Sequence, residues 1–146
     1  MKLFNKILSG LIIIAMLICF IPFKVQAASS SLHASRTTIN VGDTVSFYVT
    51  ASDAMAFDGT VSIDDDTIIG TVQADDNDNT SLTSNTISYT FNNAGTFVVS
   101  TSGTLGYWEN GQSKGTSLEG SVTITVEDNS SSGGEDPEQH TDKNKV

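Results

Sequence analysis

The sequence predicts an all-β protein, an antiparallel β-sandwich of about seven strands, with an export signal before it and a disordered tail after it. Three observations carry that expectation. From Ala28 onward the apolar residues recur with a period of two, and no stretch keeps a 3.6-residue period. The alternating positions hold β-branched and aromatic residues, which suit a half-buried pleated surface. Turn-forming clusters divide the runs: Gly42-Asp43, Asp64-Asp65-Asp66, Asn92-Asn93-Ala94-Gly95 and Asn110-Gly111.

Taken in order, a weak first strand runs near Ser31 to Arg36 and continues through Ile39 to Val41. The second alternates Val45, Phe47 and Val49 with Thr44, Ser46, Tyr48 and Thr50. In the third, Phe57, Val61 and Ile63 share a face with Gly59, and Asp58, Thr60 and Ser62 take the other. A fourth lies near Thr67 to Gln73. Ile87, Tyr89 and Phe91 make the fifth, Phe97, Val99 and Thr101 the sixth, and Val122, Ile124 and Val126 the seventh. No helix is needed between residues 28 and 127.

Both ends differ in composition from this middle. Lys2 and Lys6 precede an unbroken apolar run of 11 residues, Leu11 to Ile21. Pro22 then stops its helix, and Val25-Gln26-Ala27 offers a cleavage site. A charged start, a short apolar core and a small-residue exit describe a secretory signal peptide over residues 1–27. A membrane-spanning helix needs about 20 apolar residues. Cys19 follows Ile18, where a lipoprotein acceptor site wants a small residue, so lipidation is not expected. At the other end, residues 128–146 are Ser, Gly, acidic and Lys residues with no apolar side chain before Val146. Such a segment cannot bury enough surface to order itself and reads as a linker or tail. The domain expected between them spans 28–127.

Charge narrows the function. The 146 residues carry 17 acidic against 7 basic side chains, a formal charge of −10. Nucleic acid is held by neutralising phosphates with Lys and Arg, so this balance excludes it as a partner. It also disfavours an anionic membrane surface. Cleavage after Ala27 leaves 119 residues with 4 basic and 17 acidic groups, a charge of −13 and no cysteine. Disulfides, CxxC redox chemistry and thiolate zinc sites are then excluded.

The segment Thr38-Ile39-Asn40-Val41-Gly42-Asp43-Thr44-Val45 resembles the opening of bacterial immunoglobulin-like and cohesin-like modules. Ala94-Gly95-Thr96-Phe97-Val98-Val99-Ser100 and Gly120-Ser121-Val122-Thr123-Ile124-Thr125-Val126 resemble their closing strands. The likeness covers about Ser31 to Glu127. Those modules are repeated in surface and secreted proteins of Gram-positive bacteria, so it implies an extracellular immunoglobulin-like sandwich. It implies no active site. Antibody-type domains set a Trp on the third strand against a disulfide; here Phe57 stands in that strand and no cysteine pair exists. Cohesins carry more strands, so dockerin capture is not implied.

Hairpin-linked strands alternate direction, which divides the loops between two ends. One end is expected to gather Asp43, Asp64 to Asp66 and Asn92-Asn93. The other should gather Asp53, the run Asp75-Asp76-Asn77-Asp78-Asn79, and Tyr107-Trp108-Glu109-Asn110, with the sequence's single Trp. Ligand binding is expected at the second end. An aromatic there stacks on a sugar ring or anchors a protein; the plainer alternative has Trp108 folding over the core as a lid. Asp75, Asn77 and Asn79 space oxygen ligands like the first half of an EF-hand loop, which makes them the calcium candidates. Thr80 and Thr86 stand where that motif needs Gly and Glu, and acidic turn residues also simply cap their own backbone.

Catalysis is not expected. His33 is the one histidine in the middle region and has no partner at metal or triad spacing. Lys114, the one lysine there, is expected in a loop, which would fail the buried placement an isopeptide cross-link needs. The sequence therefore predicts a non-catalytic extracellular module for adhesion, spacing or display at a bacterial surface. The alternative is a carbohydrate-binding module using Tyr107 and Trp108, with or without calcium. The partner is an extracellular protein or glycan, and the chain acts as a monomer or one module of a longer protein.

Overall fold

A computed structural model describes residues 27–129, and these form seven strands and no helix. They are β1 (Ser29–Ala34), β2 (Thr38–Asn40), β3 (Thr44–Ile63), β4 (Thr67–Thr83), β5 (Ile87–Thr90), β6 (Gly95–Glu109) and β7 (Gln112–Glu127). The expected export signal and tail fall outside the described residues, apart from Ala27, Asp128 and Asn129.

All seven strands belong to one hydrogen-bonded sheet. Its path runs β1-β3-β6-β7-β2, with β4 and β5 also pairing with β3. The sheet is mixed, which corrects the expectation of a purely antiparallel one. β2 runs parallel to β7, Thr38 facing Thr125 and Asn40 facing Glu127. Ser35 to Thr37 separate β2 from β1, and β2 joins β7 across the molecule instead of extending the first strand.

A second correction concerns β3. Two strands were expected, broken by a loop at Asp53, but residues 44–63 form one strand. Its first part pairs with β1 and β5, and its second with β4 and β6. Register shifts at Ala51/Ala54 and Ala54/Ala56 bend it, and Asp53 takes a φ of 56°. The first sets Ser52 and Asp53 opposite one β4 residue, the second sets Met55 opposite four, and such irregularities turn a strand. The inward positions show this directly: Val45, Phe47, Val49 and Ala51 follow a step of two, then Ala54 and Phe57 follow steps of three. Val61 and Ile63 resume the original spacing.

The bend lets the sheet curl onto itself and enclose one apolar core. Val45, Phe47, Val49, Val61, Val72, Val99, Leu105, Leu118 and Ile124 are all fully buried in a single cluster. Closure occurs where β1 crosses β7. The Ser30 hydroxyl donates to the Glu119 carbonyl at 2.6 Å and accepts from the Glu119 N–H at 3.0 Å. A Cβ on Gly120 would sit 2.6 Å from the Leu32 backbone nitrogen, so only glycine permits this approach.

Candidate functional site

The β6–β7 hairpin turns at Asn110-Gly111, whose φ values of 52° and 74° are both positive. Glu109 faces Gln112 across it. This is the two-residue turn that Asn-Gly favours, because its backbone twist matches that of the strands. Alternation along β6 then sets the faces. Trp108, Gly106, Thr104 and Ser102 share the outer face, opposite Leu105 and Thr101, which are buried in the core. Tyr107 and Glu109 have the other parity and are half-buried, and Asn110 is exposed at the tip. The four residues expected to make one binding patch are thus divided between two faces.

Trp108 is 44% exposed, so it is not a lid over the core. Its indole Nε1 donates to the Asn77 carbonyl at 3.1 Å. That bond brings together the hairpin tip and the acidic run, the two features expected at one end of the molecule. The run itself is not an inter-strand loop. Ala56 faces Asp75 and Ala54 faces Thr80, so residues 76–79 bulge out of β4 opposite a single β3 residue. Asn77 takes a φ of 54°, and its N–H donates to Asp75 Oδ1 at 3.2 Å. Thr80 Oγ1 donates to Asp76 Oδ2 at 3.0 Å. These are local side-chain-to-backbone and side-chain turns of the kind Asp and Asn form. Of the calcium candidates, Asp75 and Asn77 are therefore neighbours at the start of the bulge, and Asn79 lies at its end. Among the described residues no group of three His, Cys, Asp or Glu side chains is placed to hold a metal ion.

An open groove of about 520 Å³ lies on the face of β6 that carries Gly106 and Thr104. It was not visible in the sequence, since it depends on register across three strands. In one row Asp75, Ala56 and Gly106 lie side by side, and in the next Gln73, Asp58 and Thr104. Phe57 and Ala74 also line the hollow. Ala56 and Gly106 leave the first row without bulk, and the second row supplies hydrogen-bonding groups. Trp108 follows Gly106, a lining residue, by two residues on the same face of β6. Asp58 and Asp75 make its charge negative.

The acidic residues at the opposite end have structural work. Asp64 Oδ1 accepts the Val98 N–H at 2.9 Å, and Asp65 Oδ1 accepts from Ser100 Oγ at 2.8 Å. Asp43 Oδ2 accepts the Asn40 N–H at 3.1 Å and meets Arg36 at 3.5 Å. His33 stacks on Tyr48 with ring centroids 4.9 Å apart and bonds to Thr50 Oγ1.

No family model matches the chain, and no curated protein matches it. Among solved structures it is similar to Spo0M, a sporulation control protein from Bacillus subtilis, at 16% identity and a TM-score of 0.36. The match covers 70% of this chain and 50% of that one, so this chain spans about half the length of that neighbour.

Proposed function

We propose that this chain is an exported, non-catalytic recognition module that holds a glycan at a bacterial surface through Trp108 and the groove on the same face of β6. One observation carries the reading: an exposed indole lies on the same face of β6 two residues beyond Gly106, which lines an open hollow with Gln73, Asp58 and Thr104. An indole face packs on the C–H face of a sugar, and amide, hydroxyl and carboxylate groups beside it bond the sugar hydroxyls. The bond from Nε1 to Asn77 holds the ring in one orientation, which lowers the ordering cost of binding. Export rests on residues 1–27. Kinship with immunoglobulin-like surface modules rests on Thr38 to Val45 and Gly120 to Val126.

The test is an array of neutral and amine-bearing glycans, followed by titration of the best binder. Trp108→Ala and Asp58→Ala should each weaken binding by at least about ten-fold, as at other aromatic-centred sites. Asp58 is exposed and its substitution should leave the melting midpoint within about a degree. Binding that survives both substitutions would place the ligand elsewhere.

A further inference from the structure

We propose that two copies of this chain pair edge to edge through residues 112–118 of β7, about a two-fold axis at Gly115. β7 pairs with β6 along its whole length without a register shift, and with β2 only at residues 125–127. In such a strand the backbone groups of alternate residues point to opposite edges. The direction is fixed by three contacts on the side away from β6. The N–H and carbonyl of Glu119 both meet Ser30 Oγ, the Thr125 N–H donates to Thr37, and the Glu127 carbonyl accepts from Val41. Ser113, Gly115 and Ser117 share that parity. Their three N–H and three carbonyl groups therefore point to the open edge, and no group among the described residues takes them up.

One other edge, that of β4, is covered in part. The Asn85 side chain accepts from the Gln73 N–H and donates to the Thr71 carbonyl along β4. Ser30 covers β7 at Glu119, Leu32 crowds Gly120 beside it, and β2 covers the strand at residues 125–127. An uncovered edge is a template for another strand.

The occupant follows from symmetry and charge. The open window is bounded by the turn at Gly111 and the clamp at Glu119, and its midpoint is Gly115, one of the residues aimed outward. Antiparallel pairing about that point sets Ser113 opposite Ser117 of the second copy and Lys114 opposite Thr116. Each open-edge donor then meets an open-edge acceptor. The chain holds 17 acidic residues, yet none lies between Gln112 and Leu118. Two such acidic chains can approach along this stretch without carboxylates meeting. A two-fold axis normal to the sheet also puts both grooves on the same side, so a surface bearing repeated ligands would be held twice.

Sedimentation of residues 28–146, the cysteine-free form left by cleavage after Ala27, over a range of concentrations, tests the pairing. A monomer–dimer equilibrium is expected. Ser117→Pro should weaken it at least ten-fold with the melting midpoint kept, because the lost N–H faces the open edge and not β6. A monomer at every concentration, or a dimer indifferent to Ser117→Pro, overturns the proposal. Cysteine scanning reads the register independently of proline tolerance. Facing residues in a hydrogen-bonded antiparallel pair have Cα atoms about 5.5 Å apart, within disulfide range. Gly115→Cys should therefore cross-link two copies under mild oxidation, and Ser117→Cys, roughly 13 Å from its own mate across the axis, should not. Equal cross-linking at both positions would also overturn it.

Discussion

Phe47 and Phe97 both sit at alternating positions that face the core, but they should not cost the same to lose. Phe47 has no exposed surface, so Phe47→Ala should destabilise by roughly 3–5 kcal/mol in a urea melt. Phe97 is only half-buried, resting on the Phe91 ring with centroids 5.3 Å apart. Its truncation leaves a hollow that water can reach, and the cost should be about half as large. A third residue acts through having no side chain. Gly103 faces Gly59 across β6 and β3, and a Cβ there would overlap the Asp58 carbonyl oxygen and the Gly59 Cα. Both obstacles are backbone, which cannot rotate aside. Gly103→Ala should cost more than about 2 kcal/mol, measured by the same melt. A neutral result would mean that the two strands separate more easily than this pairing implies.

Among the elements, β3 shows best what the sequence could and could not convey. The alternation of Val45, Phe47 and Val49, and of Phe57, Val61 and Ile63, was legible, and all six are buried. The join between them was not. Ala51-Ser52-Asp53-Ala54-Met55-Ala56 has small and polar residues with no period of two, as a loop would. Two bulges remove the period while the backbone stays in the sheet. The second of these shifts faces residues 76–79, so the acidic run became a protrusion of β4 and not a connection. Its contacts are internal, between Asp75 and Asn77, between Asp76 and Thr80, and onward to Trp108. With those bonds made within the chain, a chelator should leave the melting midpoint unchanged. A fall of several degrees would instead assign a bound cation, because a ligand of the native state raises stability. The Trp108 side of the site was legible as an exposed aromatic near Asn110-Gly111. The groove was not, because Ala56, Gly106 and Asp58 carry no signal until register sets them side by side.

At the scale of the whole molecule, the issue is whether the two parts of the curled sheet are stable separately. They share β3, whose first part carries Phe47 and whose second carries Val61, and the core is one cluster running from Leu32 to Val126. β1 belongs to the first part through β3 and touches the second through Ser30 and Gly120. Opening the contact between β1 and β7 would expose Leu118 and Ile124 from one side and Leu32 from the other. The parts should therefore unfold together, in one transition, as small single-core domains do. Phe47→Ala in the first part and Leu118→Ala in the second should each lower the midpoint of that same transition, the latter by the equivalent of about 2–5 kcal/mol. Far-ultraviolet circular dichroism, which follows the strands, and near-ultraviolet dichroism, which follows the packed rings of Tyr89, Phe91 and Phe97, should trace coincident curves in both variants. Ser30→Ala probes the closure itself. It removes both bonds to Glu119 near the surface, which should cost about 1 kcal/mol and keep the curves superposed. If the curves separate in that variant, β1 leaves before the rest, and the curl is held by β2 on β7 and not by the crossing at Gly120.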